Sequence, residues 1–519
     1  MLHLPFVADA RAQGTSLFSP SLSDPKNVQS FRPPSSGTNS GTWAETKITP
    51  STILPASGAG DTGFDSTGKR AKNKKKKVSA GDPHPLPPPP PPQTGAPQLV
   101  DGHGAAQQIK ERNTYAETYR TPDSTPRRPP PSALDPYAPL GLRVGSFVMN
   151  PSLEVNRGYD TNPSHAPGGV ASGFTEVTPT LKVKSDWSRH EVGLDLRGSY
   201  SEYDKDTSLN RPLLDAKGHA RLDVSHDTTI NSESRFYLST DYPGSPNLPV
   251  GFAKLPIFYT YGSTLGLTQR FNHLELSVKG AADRTQYQPT PLVDGTSSSN
   301  TDRNFNQYSG AGRASYEVSP GVKPFVELAG DVRKHDLQFD RDGFQRDSHA
   351  LVPRVGTSFD IAKKLTGEVS VGYMDRQFVD PGLAPLRGIV ADASVVWNAT
   401  GLTTVTLTAA SRAEETVVSG VSGALRRDIG VQVDHALRRW LIWSVRAGYG
   451  LDQYKSIPCE CNDFQERTDR RVSLGSMITY KFSREFAMKG EYRYDQMHSN
   501  TSGVDYHANV FLVGLQLQR

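Results

Sequence analysis

Apolar and polar residues alternate along much of the chain from about residue 141 to its end. In the first such segment, Phe147, Met149, Leu153 and Val155 share one parity, and the positions between them are mostly Ser, Asn or Glu. Successive side chains of a strand point to opposite faces, so this pattern predicts a strand with one apolar and one polar face. The alternating segments span about 11–16 residues, which exceeds ordinary globular strands and suffices for a tilted strand to cross a bilayer.

The connections between these segments alternate in length. Tight turns such as SHDTT and RFNH alternate along the chain with long, Gly- and Pro-containing loops such as RGYDTNPSHAPGGVASG. We count eighteen strands, the first near Arg143 and the last near Val504, with sixteen as the alternative. Tight turns at one end and long loops at the other are typical of an antiparallel, up-and-down transmembrane β-barrel. An even count places both ends of the barrel on the tight-turn side, which is periplasmic in outer-membrane barrels.

Composition agrees with a barrel better than with a large soluble core. Only 35% of residues are hydrophobic, and the mean hydropathy is −0.54. No apolar run approaches the about 20 residues of a transmembrane helix. A closed barrel turns its apolar face to lipid, and at eighteen strands its interior is too wide for side chains alone to fill. We therefore predict a wide, water-filled lumen. The candidate lumen-lining residues are Glu154, Asp195, Arg197, Arg221, Asp223, Glu275, Lys279, Lys489, Glu491 and Arg493.

Aromatic residues and one proline add local expectations. Aromatic residues near strand ends suit the interfacial girdles of membrane barrels. The candidates for the girdle are Trp187, Tyr200, Tyr203, Trp440 and Trp443. Pro151 lies in the first strand and lacks a backbone N–H, so we expect a bulge or local break there.

Residues 1–140 differ from the rest of the chain. They contain 23 of the 40 prolines, a lysine-rich run at Lys69–Lys77 and a polyproline run within Pro85–Pro92. This composition buries too little apolar surface to offset chain entropy, so we predict a disordered N-terminal region, with the barrel spanning 141–519. We interpret the lysine run as a solvated spacer, with contact to lipid headgroups, peptidoglycan or periplasmic export proteins left open. Nucleic acid is not expected as a partner of an exported chain.

The start of the chain resembles the end of a signal peptide. Ala10-Arg11-Ala12 fits a signal-peptidase site, whereas the apolar run before it is shorter than a full apolar core. We expect residues 1–12 to be the remainder of a signal peptide whose true start lies upstream; the alternative is an ordinary N-terminus.

The stretch PLGLRVGSFVMNPSLEVNRGYDTNP resembles the opening of the putative beta-barrel porin 2 family. The following hairpin, VTPTLKVKSDWSRHEVGLDLRGSYSEY, is similar to that family's as well, and the resemblance covers roughly Pro136 to Arg519. It implies an outer-membrane barrel but no particular solute. Some relatives resemble the outer-membrane component of exopolysaccharide or capsule export. The chain departs from common barrels in ending on Arg519 rather than on an aromatic residue.

These features favour a pore for passive passage of small hydrophilic solutes. The loop around Gln286–Phe305 is our candidate constriction. The alternatives are a conduit for exported polysaccharide that works with periplasmic partners, and a structural barrel whose N-terminal region tethers the envelope. Homo-oligomerisation is left open.

Catalytic and metal-binding patterns are not found in the sequence. There is no Gly-x-Ser-x-Gly or His-Glu-x-x-His motif, so we predict no enzyme activity, no cofactor and no metal. Cys459 and Cys461 form a lone Cys-x-Cys pair, which could hold a metal or a strained disulfide. Without a second pair nearby, we predict a loop with no special chemistry.

Overall fold

The computed structural model describes residues 136–361, 364–456 and 466–519. The predictions for the signal peptide, the lysine and polyproline runs, and for Cys459 and Cys461, lie outside the described residues. Among the described residues, no helix is long and apolar enough to cross a membrane.

Eighteen long antiparallel strands form one closed sheet, as the alternation predicted. Each strand pairs with its neighbours in the chain, and the first pairs with the last through Ser152↔Gln518 to Asp160↔Val510. Closure joins the first strand of the sheet to the last, as a bilayer favours because lipid cannot bond exposed backbone groups. The strands are β1 Phe147–Asp160, β2 Ser172–Ser185, β3 Glu191–Tyr203, β4 Arg211–Asp223, β5 Thr228–Thr240, β6 Ile257–Phe271, β7 Leu274–Tyr287, β8 Phe305–Tyr316, β9 Val322–His335, β10 Ser348–Ile361, β11 Leu365–Phe378, β12 Leu386–Thr400, β13 Thr403–Glu414, β14 Val421–Arg438, β15 Leu441–Ser456, β16 Thr468–Lys481, β17 Phe486–Ser499 and β18 Tyr506–Gln518.

The two ends of the barrel differ as the sequence predicted. Tight turns such as 224–227 and 272–273 lie at one end, and longer loops such as 161–171, 241–256 and 288–304 lie at the other. Arg519 and the start of β1 are at the tight-turn end. Pro136 also lies there, because the Arg484 guanidinium donates to the Pro136 carbonyl over 2.6 Å.

At the junction of β1 and β18, the structure differs from two predictions made from the sequence. The chain near Arg143 is not the start of β1; Leu142–Val144 is a separate short strand that folds back on Phe147–Met149. Pro151 causes no bulge, because β1 and β2 stay in register through Pro151↔Leu181. On its other side, Pro151 lies where the partner of β1 changes from Leu142–Val144 to β18. Its missing N–H therefore falls at a position where no ladder bond is required.

Alternate side chains of each strand point outward and inward. On β1, Leu153, Val155 and Tyr159 are exposed on the outer wall, whereas Glu154 and Asn156 are buried inside. The girdle candidates Trp187, Tyr200, Trp440 and Trp443 are exposed at 36–49% of their surface.

Tyr203 is not part of the girdle. It is 1% exposed and packs inside the barrel against Phe174, with ring centroids 5.6 Å apart. Tyr203 has the inward parity of β3, which it shares with Arg197, and this parity outweighs its position near a strand end.

Candidate lumen and constriction

All ten residues that the sequence assigned to the lumen occupy inward-facing positions of their strands. They lie on β1, β3, β4, β7 and β17 and do not form one cluster. The structure brings Lys489 to within 2.6 Å of Glu154 across the β1–β18–β17 seam. Arg221 contacts Asp223 at 3.2 Å, and Arg493 donates to Asp495 at 3.0 Å.

The remaining members of that set meet partners that the sequence analysis did not name. Glu275 lies 3.5 Å from Lys323, and Glu491 lies 3.5 Å from Arg446. Arg197 and Lys279 are buried, and Asp195 is half-buried. The polar face of each strand thus points to the interior, and much of its charge is used in contacts between strands.

Buried arginine side chains occupy part of the interior that was predicted to be filled by water in a barrel of eighteen strands. Six arginines expose less than 2% of their surface: Arg284, Arg376, Arg426, Arg446, Arg471 and Arg493. Arg471 donates to Asp428 over 2.6 Å and to Asp452 over 2.8 Å, and Arg376 reaches Asp331 at 2.6 Å. Five of these arginines were missed by the sequence analysis. Arg376, Arg426, Arg446 and Arg471 lie on the polar parity of their strands, whereas Arg284 shares the parity of the outward-facing Leu276 and Val278. Long, paired side chains therefore narrow the lumen that the sequence predicted to be wide.

Two loops from opposite walls meet at the long-loop end of the lumen. The Thr416 hydroxyl donates to Asn247 Oδ1 over 2.9 Å, and the Val417 N–H donates to the same oxygen over 3.0 Å. Asn247 belongs to the β5–β6 loop and Thr416 to the β13–β14 loop. Eight strands separate these loops in a ring of eighteen, so they approach from nearly opposite sides. This contact spans the lumen and is the candidate constriction of the barrel.

The loop around Gln286–Phe305, which the sequence analysis nominated as the constriction, packs against the β5–β6 loop that carries Asn247. It pairs with the β5–β6 loop through the Ala253 N–H, which donates to the Pro291 carbonyl over 2.8 Å. Arg303 binds Asp241, at the base of the same loop, at 2.7 Å. Its tip is exposed, with Val293 at 76%. The cross-lumen contact is made by residues that show no periodic signal in the sequence.

The first long loop also enters the lumen. His165 is 1% exposed, and its ring stacks on Tyr506 at 4.5 Å with the two planes 2° apart. Burial, followed by the neighbouring charges of Arg211 and Arg493, holds the pKa of His165 well below its usual value. The imidazole is therefore neutral at physiological pH and adds no charge to this part of the lumen.

Charged contacts anchor the β13–β14 loop to the long-loop end of β9. Arg333 Nη1 donates to Glu415 Oε1 over 2.8 Å, and His335 Nε2 lies 3.1 Å from Glu415 Oε2. Burial alone would raise the pKa of Glu415, but His335 and Arg333 hold it well below its usual range. Burial is likewise outweighed at Asp347, where His335 and Lys334 lower the pKa to about 2.

The contacts of Glu415 with Arg333 and His335 are expected to persist in mild acid. A carboxylate with a depressed pKa stabilises the fold above its unfolded pKa, about 4.3 for Glu, and the stabilisation disappears as pH falls through the folded value. We expect the difference in free energy of unfolding between the parent and Glu415→Gln not to fall between pH 7 and about pH 4.3, and to decline only at lower pH. Urea unfolding in lipid vesicles at several pH values measures it. A difference already halved at pH 5 would contradict the assigned contacts.

The geometry is that of a membrane barrel with a polar, constricted interior, and the sequence comparison gives its family. The family model described as putative beta-barrel porin 2 matches residues 135–519. The chain belongs to this beta-barrel porin family. The resemblance noted in the sequence is thereby confirmed, and this porin is an outer-membrane β-barrel of the porin type. No curated protein matches the chain.

Solved outer-membrane barrels are similar to this porin at low sequence identity. OccK2 (OpdF) of Pseudomonas aeruginosa is 12% identical, covers 72% of this chain and 98% of its own, and gives a TM-score of 0.36. The outer membrane protein opdK of Pseudomonas aeruginosa is 12% identical, with 72% and 99% covered and a TM-score of 0.35. The siderophore receptor PirA of Acinetobacter baumannii is 7% identical, with 72% and 80% covered and a TM-score of 0.36.

Proposed function

We propose that this porin passes small hydrophilic solutes through its lumen by diffusion and carries out no reaction. The observation that supports the proposal is the inner wall, on which polar and charged side chains predominate, while most of the exposed apolar side chains of the strands face outward. Charges of both signs line this wall, and many are paired across strands, as in Lys489–Glu154 and Arg376–Asp331. A lumen with balanced charge favours neither anions nor cations strongly.

Planar-bilayer recording with the purified full chain tests this function. We expect discrete conductance steps with weak ion selectivity, and reversal potentials close to zero in asymmetric KCl. Swelling of proteoliposomes in sugars of increasing size should slow with size, because the constriction between Asn247 and Thr416 limits passage. Folded protein that gives neither conductance steps nor swelling would overturn the proposal. The described residues offer no specific support for the export-conduit alternative.

We also propose that the tight turns and both ends of the barrel face the periplasm. Two valines allow a matched test: Val293 lies at the tip of a long loop and is 76% exposed, and Val318 lies in a tight turn and is 60% exposed. In a background with Cys459→Ser and Cys461→Ser, a membrane-impermeant maleimide should label Val293→Cys in intact cells. It should label Val318→Cys only after the outer membrane is permeabilised. The reverse pattern would contradict the orientation.

A further inference from the structure

The backbone ladder between β12 and β13 stops halfway up the wall. The two strands pair from Thr400↔Thr403 to Ala393↔Ala409 and no further. β13 nevertheless continues to pair with β14 as far as Glu414↔Ala424, and β12 with β11 as far as Arg376↔Leu386. Residues 386–391 of β12 therefore form a stretch of strand edge without a backbone ladder partner among the described residues. Such an edge is unusual in a membrane wall, where backbone groups are expected to be paired.

At the long-loop end of the barrel, β13 and β14 lie inside the lumen and not in the wall. We name residues 410–426 the inner hairpin. Ala413 and Leu425 of this hairpin pack in one apolar cluster with Val352, Met374 and Val390, which face inward on β10, β11 and β12. Residues 421–426 are buried at every position, so both faces of this part of β14 are covered.

A glycine in the wall makes room for the inner hairpin. A Cβ at Gly388 would lie only 2.6 Å from Leu425 Cδ2. The inner hairpin thus lies against the inner face of β12 instead of continuing the wall beside it.

Side chains replace the missing ladder. The Ala391 N–H donates to Ser411 Oγ over 2.9 Å, and the same hydroxyl is 3.1 Å from the Ala391 carbonyl. Arg427 Nε donates to the Ile389 carbonyl over 3.0 Å. The Ser411 hydroxyl and the Arg427 guanidinium thus bond to part of the β12 edge. If β13 stayed in the wall beside β12, it would pair with the same edge through regular backbone hydrogen bonds.

The tip of the inner hairpin is held by three other parts of the barrel. Glu415 is bound by Arg333 and His335 at the end of β9, at 2.8 and 3.1 Å. Thr416 is bound by Asn247 of the β5–β6 loop. Arg346, from the β9–β10 loop, donates to the Val421 carbonyl over 3.0 Å. These contacts hold the hairpin in the lumen.

We propose that the inner hairpin is the gate of this porin. Contacts at its tip hold it across the lumen in the closed state. Opening moves it to the wall, where the free edge of β12 offers it a ladder partner. The inference rests on the proposed function as a solute channel and adds the element that regulates it. Two alternative pairings for one segment, one through its tip and one along its edge, supply the two discrete states that a gate requires.

Glu415→Gln tests the tip contacts with little change in shape. Losing a hydrogen-bonded charge at the tip should raise the ratio of open to closed time about tenfold in single-channel records. The matched control is Asp505→Asn, which removes a carboxylate 2.6 Å from His498 at the barrel rim, away from the inner hairpin. The control should gate like the parent. Equal open times in all three proteins would overturn the gate.

A reversible cross-link provides a second test in the same folded protein. Asn247→Cys and Thr416→Cys, with Cys459→Ser and Cys461→Ser, place a disulfide across the contact that spans the lumen. Oxidation should hold the channel closed, and reduction should restore or increase the open time. Unchanged gating on reduction would refute the gate while leaving the diffusion channel intact. Failure of the parent and of every variant to conduct would instead refute the proposed function.

Discussion

Shortening the β5–β6 loop is expected to raise the single-channel conductance of this porin about twofold or more, since the narrowest part of a pore limits its current. The change replaces residues 243–254 by Asn-Gly. It removes Asn247, which accepts hydrogen bonds from Thr416 and Val417 across the lumen. The base of the loop is retained, where the Asp241 N–H donates to the Pro256 carbonyl over 3.1 Å. Conductance is measured in planar bilayers at one salt concentration.

The control is a deletion at the other side of the same rim. Residues 501–503 lie in the β17–β18 loop and are exposed, so removing them should leave conductance unchanged. Equal conductance in the parent and in the protein with the shortened β5–β6 loop would show that the current is limited elsewhere in the lumen. The conductance of the control deletion separates this result from a general effect of shortening loops.

The second large effect concerns stability. Arg471→Met keeps much of the side-chain volume but removes a cation that binds two buried carboxylates, Asp428 and Asp452. Breaking a buried ion pair by removing one partner typically costs about 3–5 kcal/mol, because the other charge is left uncompensated in a poorly solvated place. Arg426 also contacts both carboxylates, at 3.0 and 3.6 Å, and cannot balance two charges alone. We expect a loss of this size in the free energy of unfolding, measured by urea titration in lipid vesicles.

Arg157→Met is the comparison for that measurement. In the Arg157–Asp204 pair both side chains are exposed, at 59% and 44%. Exposed pairs contribute about 0–1 kcal/mol, so this change should be nearly neutral. If Arg471→Met proved as mild as Arg157→Met, water would have to solvate Asp428 and Asp452, and the lumen would be wetter than the buried side chains indicate.

Strand positions were predictable because the information is local. A two-residue period fixes which face of each strand is apolar, and Gly-, Pro- and Asn-rich segments fix where strands end. The predicted start at Ile257 agrees with β6, and Val322 agrees with β9. The prediction at Arg143 was wrong because alternation continues through the turn at Gly145, so the sequence does not show that the chain folds back there.

Whether a side chain points into the lumen or outward was predictable for charged residues and less so for aromatic ones. A charge near the middle of a barrel strand has one tolerable direction, whereas a tyrosine is stable in lipid or in a packed interior. Tyr203 therefore follows the parity of β3 and packs on Phe174 inside the barrel. The parity itself was available from Arg197 on the same strand.

The sequence by itself determined a polar-lined, antiparallel membrane barrel of sixteen to eighteen strands, because each strand carries its own alternation and each turn its own residues; the structure decided the count of eighteen. Only the tertiary structure decided how the lumen is narrowed. The contact between Asn247 and Thr416 joins two loops far apart in the chain. The inward path of residues 410–426 depends on packing against Val352, Met374 and Val390 from three other strands. Such contacts form only when the ring closes, so no local pattern in the chain records them.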